Sequence, residues 1–261
     1  MENQSGTTPL RDRVTQKLHA AYEIWEVFAR ASFGQRIIQV ETSTPEELRA
    51  VWAVAEGQYG CALPEEMSQE DQLAFLSFNT CDEVSYIFLE VLKHMLGEDV
   101  ESISWWRIRP KQSRKVWIGM EDDAEELPYD HGHLRVQLVN GTVLIPDFTG
   151  AQNGWLFEVL EAEVYYKTRC EDGTEPWVVP AEEQEHLPQS YAAQLREVVV
   201  KAVDKLCWEN TEDIVEAPEE EKIDMKDMLE KVQEAVRHFC VRWGEHIVRI
   251  IQQRVAGPSA G

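Results

Sequence analysis

The chain has 261 residues, enough for one sizeable domain with a real core, or for such a domain and a helical appendage. Its 48 acidic residues against 25 basic ones leave a formal charge of −23, which repels a phosphate backbone over most of the surface and makes general nucleic-acid binding unlikely. Hydrophobic residues make up 43% of the chain, yet no apolar run approaches the roughly 18 residues of a membrane span, and the polar opening Met1–Pro9 does not resemble a signal peptide.

Along the chain, Val14, Leu18, Ala21, Tyr22, Trp25 and Phe28 form one apolar stripe, which predicts a helix over residues 9–31. Thr44-Pro45-Glu46-Glu47 reads as a second helix start, with Thr44 as N-cap, Pro45 at the first helical position and Glu47 closing a capping box. That helix is expected to run to about Ala55, followed by a loop over Gly57–Pro64 and a short helix over Ser68–Phe75. Thr80-Cys81-Asp82-Glu83 repeats the capping-box spacing. Beyond it Val84, Ile87, Phe88, Val91, Leu92 and Met95 recur at helical intervals until Gly97 stops the run.

Period-two patterns then predict strands at Ile103–Ile108 and Val116–Met120. His133–Val139 and Thr142–Ile145 flank Asn140-Gly141, the strongest short hairpin signal, and further strands are expected at Phe157–Tyr166 and Trp177–Val179. From Pro188 the pattern is helical again through Leu206. The expected organisation is a catalytic domain over residues 1–208, an acidic linker over 209–223, and an amphipathic helix over 224–256 that packs on the domain or on a partner, a homodimer included.

The five cysteines, Cys61, Cys81, Cys170, Cys207 and Cys240, are odd in number and lack CxxC spacing. Neither a disulfide framework nor a zinc ribbon is indicated, and a reducing cytoplasm fits best. Cys81 stands out because Thr80 as N-cap puts it at the first helical position, where unpaired N–H groups and the helix dipole favour a thiolate. Asp82 and Glu83 oppose that effect, so a reactive thiol needs a cationic histidine. The later hairpin offers one: His133 opens a strand, and Asp147 on the return strand can fix the imidazole tautomer. A strict two-residue turn at Asn140-Gly141 would set Asp147 on the opposite face from His133, so the arrangement requires a one-residue shift from a three-residue loop or a bulge. His131 has the same parity and is the reserve candidate for the base.

The segments Asn79-Thr80-Cys81-Asp82-Glu83-Val84-Ser85, His133-Leu134-Arg135-Val136 and Ile145-Pro146-Asp147-Phe148-Thr149-Gly150 resemble the transglutaminase-like branch of the papain-like superfamily, over about residues 75–155. The resemblance implies an α+β fold, with a nucleophile helix packed on an antiparallel sheet and further helices around it. It also implies thiol acyl chemistry with Cys81 as nucleophile, His133 as base and Asp147 as orienter. One departure is that an aromatic residue usually follows the histidine by two positions, where Arg135 stands here.

Such a site would pass an acyl group through a Cys81 thioester to an amine or to water, from a small-molecule or peptide donor. The oxyanion would be held by the Cys81 backbone N–H and a second donor from Gln152, Asn153, Trp155 or Asn79, while Trp105, Trp106 and Trp155 can wall a pocket. A catalytically silent papain-like binding scaffold is the alternative, as is an amidohydrolase or cysteine peptidase. His131-Gly132-His133 beside Asp130 offers two imidazoles to a metal, but no further Cys/His pair of helical spacing follows, and neither metal nor other cofactor is expected. The basic stretch Arg107–Lys115 is the one place where local RNA docking is conceivable, and the acidic run Glu121–Asp130 can draw an amine substrate.

Overall fold

The computed structural model describes residues 9–33, 35–54, 63–119, 130–186, 191–204 and 229–239. The first helix, α1 (Leu10–Ser32), follows the predicted stripe and buries Val14, Leu18, Ala21, Ile24, Trp25 and Phe28. Next come β1 (Gln35–Ser43) and β2 (Glu47–Val54), paired as an antiparallel hairpin. The expected helix from Thr44 is therefore not formed. The capping-box spacing is used by a tight turn instead: the Glu47 N–H donates to Thr44 Oγ1 (3.0 Å) and the Thr44 N–H to the Glu47 carbonyl (2.8 Å). Strand pairing on both sides of β2 then overrides local helical preference, with Leu48 and Ala50 buried on one face.

Helix α2 (Gln69–Ser77) is capped by Ser68, whose side chain accepts from the Asp71 N–H. Helix α3 (Cys81–Leu96) begins and ends where predicted, at N-cap Thr80 and Gly97. The Thr80 hydroxyl does not close a capping box, however. It donates back to the Ser77 carbonyl (3.0 Å) and leaves the start of α3 open.

The second sheet is antiparallel throughout, in the order β7 (Val159–Glu161), β6 (Val143–Pro146), β5 (His131–Leu138), β3 (Val100–Ile108) and β8 (Trp177–Val178). Strand β4 (Lys115–Gly119) leaves that sheet and pairs in parallel with β2. The stretch Phe157–Tyr166, expected as one strand, divides into β7 and helix α4 (Ala162–Arg169). Successive residues of a strand point to opposite faces, whereas here Tyr165 and Tyr166 both reach the ring of His133, at 5.0 and 5.8 Å between centroids.

Helices α5 (Ala181–His186) and α6 (Tyr191–Asp204) follow, and residues 229–239 form one more helix. Val232 and Val236 of that last helix are buried in the main core, so the described part packs on the domain. The acidic stretch 209–223 and residues 240–256 lie outside the described residues. The whole is an α+β fold in which α3 lies on the inner face of β3 and β5, with Val84, Ile87 and Phe88 against Trp105, Leu134, Val136 and Leu138. No helix among the described residues is long and apolar enough to cross a membrane.

Phe88 ties the layers together, being fully buried with ring centroids 6.1 Å from Phe28 of α1 and 5.1 Å from Phe148 beyond β6. Phe88→Ala is expected to lower the unfolding free energy by about 3–5 kcal/mol in urea titration; a loss below about 1 kcal/mol would contradict this placement.

Candidate active site

Between β5 and β6 the chain turns through Val139, Asn140 and Gly141. The Leu138 N–H donates to the Thr142 carbonyl (2.8 Å), and Gly141 adopts a left-handed φ of 85°. This three-residue loop supplies the required shift, because Val136 pairs with Leu144 and Gln137 with Val143. Ile145 and Asp147 thus share a face with His131 and His133. The ladder alone would set Asp147 opposite His133, but Asp147 lies beyond the end of β6 and its carboxylate reaches past it to His131.

His131 Nε2 lies 3.0 Å from Asp147 Oδ1 and 2.9 Å from Oδ2, both side chains being buried. Asp147 also accepts from the Tyr165 hydroxyl (2.8 Å) and the Thr149 N–H (3.2 Å). Burial by itself would lower the pKa of His131. The charge and hydrogen bonds of Asp147, helped by a hydrogen bond to Cys81, carry it up to about 10. Burial works against the ionised Asp147 too, and His131 and Tyr165 outweigh it and hold the carboxyl below its ordinary range. Since Asp147 takes Nε2, the imidazole nitrogen left for the thiol is Nδ1.

His133, expected as the base, is placed differently. Its Nε2 is 3.4 Å from the Tyr166 hydroxyl, and burial pushes its pKa down to about 3, so it is neutral throughout the physiological range. The imidazole that lies beside Cys81 and meets Asp147 is that of His131, the reserve candidate, and the residue two positions after it is the imidazole of His133 rather than Arg135.

Cys81 is 8% exposed, at the first position of α3. Gly132 lets the helix start approach β5: a Cβ there would lie 2.6 Å from Asp82 Oδ1, 3.0 Å from Trp105 Nε1 and 3.5 Å from the Cys81 carbonyl carbon. Asp82, whose charge opposes a thiolate, is answered by Arg107 at 2.9 and 3.3 Å, and Arg107 also binds Glu183 at 2.6 Å. Elsewhere in the basic stretch, Arg109 pairs with Asp130, Lys111 with Asp172 and Arg114 with Asp71, so carboxylates already answer these cations where RNA docking was considered. Residues 120–129, most of the acidic run, lie outside the described residues.

Among the other expected residues, Gln152 comes closest to the imidazole, with Nε2 at 3.4 Å from His131 Nδ1. The Trp155 ring meets His131 edge-on at 5.6 Å. Trp105 is buried near the start of α3, and its indole N–H has no partner. Trp106 instead donates to Ser104 Oγ and lies under the Arg135 guanidinium at 5.0 Å. Asn153 braces the turn, its carbonyl accepting from the N–H groups of Ser113 and Arg114 and its Oδ1 from Gln112. Asn79 is exposed, and its backbone N–H donates to Gln152 Oε1.

Tyr165 and Gly132 were missed by sequence reasoning. Tyr165 was hidden inside the supposed strand, and Gly132 could have been found as the small residue between two histidines at a strand start. No cluster of metal-ligating side chains occurs among the described residues. No family model matches the chain, and neither a characterised protein nor a solved structure matches it.

Cys81 is expected to react with iodoacetamide at pH 6 at least about 10-fold faster than an ordinary thiol of pKa ~8.5. His131→Ala should remove that advantage and His133→Ala should leave most of it; the reverse order, read by peptide mass spectrometry, would sink the assignment of the base. The pair also has a pH signature. The pKa of His131 is raised from 6.5, so its contribution to stability is complete below that value and fades as pH rises through about 10. The pKa of Asp147 is lowered from 3.8, so its contribution is lost only as pH falls below that value. The stability gap in urea between wild type and the double variant His131→Gln/Asp147→Asn should therefore shrink steadily above pH 6.5. A gap that stays flat to pH 10 would contradict the charged pair.

Proposed function

We propose that the protein is a thiol-dependent acyl-transfer enzyme of the transglutaminase-like, papain-like kind, with Cys81 as nucleophile, His131 as acid–base and Asp147 as orienter. The observation that carries this reading is the buried His131–Asp147 pair, which holds an imidazolium beside a cysteine at the open first turn of α3. A helix start next to a cationic imidazole is where a thiolate is favoured.

The Cys81 thiolate attacks an acyl carbonyl carbon, and the developing oxyanion takes the Cys81 backbone N–H. As the tetrahedral intermediate collapses, the bond to the leaving group breaks and the His131 Nδ1 proton passes to it, leaving an acyl-thioester. An amine or water then attacks the thioester, gives its proton to His131 and releases Cys81 as thiolate. The free thiols Cys81 and Cys170 fit a cytoplasmic setting. A silent scaffold is the second reading, and the 8% exposure of Cys81 is the observation in its favour.

The test uses p-nitrophenyl acetate as acyl donor. A burst of nitrophenolate with one acetyl group on the Cys81 peptide is expected, lost in Cys81→Ser and slowed at least about 100-fold in His131→Ala. Acetylation of Cys170 at an equal rate, or none at Cys81, would leave the scaffold reading.

A further inference from the structure

We infer that Tyr165 is the positioning residue that decides which imidazole takes the Asp147 carboxylate. Its hydroxyl is fixed on Oδ2 while its ring lies against His133, and together they keep Asp147 on His131. For the role of His131 toward Cys81, this rests on the acyl-transfer reading of the same site. The choice needs a cause, because the strand register favours the other histidine. His131 and His133 share a face of β5, and the β5–β6 ladder continued beyond β6 brings Asp147 opposite His133. His133 also lacks a partner that a carboxylate would supply. It is 2% exposed, its Nδ1 has no hydrogen-bond partner among the described residues, and its Nε2 has only the Tyr166 hydroxyl at 3.4 Å.

Each oxygen of Asp147 is held from its own side. Oδ1 accepts from the Thr149 N–H at 3.2 Å and Oδ2 from the Tyr165 hydroxyl at 2.8 Å, while His131 Nε2 addresses both at 3.0 and 2.9 Å. Thr149 is two residues from Asp147 and moves with it. Tyr165 is a contact from outside that segment, and the end of its helix is anchored. The Lys111 N–H donates to the Arg169 carbonyl at 2.7 Å, the Glu171 N–H to the Arg109 carbonyl at 2.9 Å, and the Arg169 guanidinium lies over Trp155 at 5.1 Å. Tyr165 and Tyr166 are one helical step apart, so their hydroxyls face different partners. The first meets the carboxylate, and the second meets the imidazole kept away from it.

The charged and titratable groups facing His133 are His131 and Arg135 on its own strand, Asp147 beyond β6, and Tyr165 and Tyr166 on α4. Burial lowers the pKa of His133, Asp147 works to raise it, and the charges of His131 and Arg135 side with burial. Both tyrosines keep their protons, since burial raises their pKa values. Asp147 is thus the group that stabilises a charge on His133 once it is free to turn. Tyr165→Phe frees a lone pair of Oδ2 on the side where the same ring meets His133, and the two imidazoles then compete for one carboxylate.

Two readouts test this. By ring-nitrogen NMR at pH 6, wild type should show an imidazolium at His131 and a neutral ring at His133, and Tyr165→Phe should show imidazolium character at His133. Alkylation of Cys81 by iodoacetamide at pH 6 should slow about 10-fold in Tyr165→Phe, as His131 loses its counter-charge. The double variant Tyr165→Phe/His133→Phe should return the rate to within about 3-fold of wild type, because no rival imidazole remains. Tyr166→Phe, which leaves every contact of Asp147 in place, should alkylate like wild type. A His133 ring that stays neutral in Tyr165→Phe would overturn the inference whatever the rate does. A slow rate that the double variant does not restore would make Tyr165 a packing residue and overturn it as well. Wild-type Cys81 reacting no faster than an ordinary thiol would instead overturn the acyl-transfer reading, and the ring-nitrogen shifts would still decide whether Tyr165 assigns the carboxylate.

Discussion

Two opposite charges buried together set the terms for everything around them. Taking a carboxylate and an imidazolium out of water costs several kcal/mol each, and their attraction offsets this only when the remaining lone pairs and protons are satisfied. Asp147 meets that condition through His131, Tyr165 and the Thr149 N–H. Helix α4 is held where Tyr165 can donate, and its burial raises the tyrosine pKa so that the hydroxyl keeps its proton. Tyr166, pushed up to about 12 chiefly by burial, likewise stays neutral beside His133. The histidine two residues from the pair is kept uncharged, which avoids a second buried cation against the first.

Cys81 reaches this pair through an absence and a neutralisation. A side chain at Gly132 would overlap the Asp82 carboxylate and crowd the Trp105 indole, so both would have to shift for anything larger than glycine to stand beside the start of α3. Asp82 next to the thiol would raise the cost of a thiolate, and Arg107 answers it from β3 while also holding Glu183 of α5. Glu83, the other acid in the first turn, has its pKa raised by burial, which weakens its opposition in the same sense.

The smaller sheet serves the site from behind. Arg114, just before β4, is 4% exposed and pairs with Asp71 of α2 at 2.6 Å; the Asp71 carboxylate in turn accepts from Ser43 of β1, and the Asp71 N–H donates to its cap Ser68. The N–H groups of Ser113 and Arg114 hold the Asn153 carbonyl, which fixes the turn bearing Gln152. A sheet with no candidate residue of its own therefore braces the one segment on which both Asp147 and Gln152 depend.

The sequence by itself determined the elements whose cues are local and strong: α1, the span of α3 with Cys81 at its first position, the β5–β6 hairpin and the need for a shifted register. It also pointed to Cys81, His133 and Asp147 as neighbours with His131 in reserve, and the structure sets Asp147 against His131. Cues shared by two local structures were not decisive. The Thr44–Glu47 spacing suits a helix cap and a hairpin turn equally, and only pairing of β2 with β1 and β4 selected the turn. Tyr165 and Tyr166 read as strand residues but lie in α4, from which the Tyr165 hydroxyl donates to Asp147. The choice between His131 and His133 was likewise tertiary. Both share one face, so parity cannot separate them, and the answer lies in where the chain carries the Asp147 carboxylate after β6 ends. A buried charge goes to the partner it can reach with its other hydrogen bonds intact, and that is a property of the folded neighbourhood rather than of any residue's place in the chain.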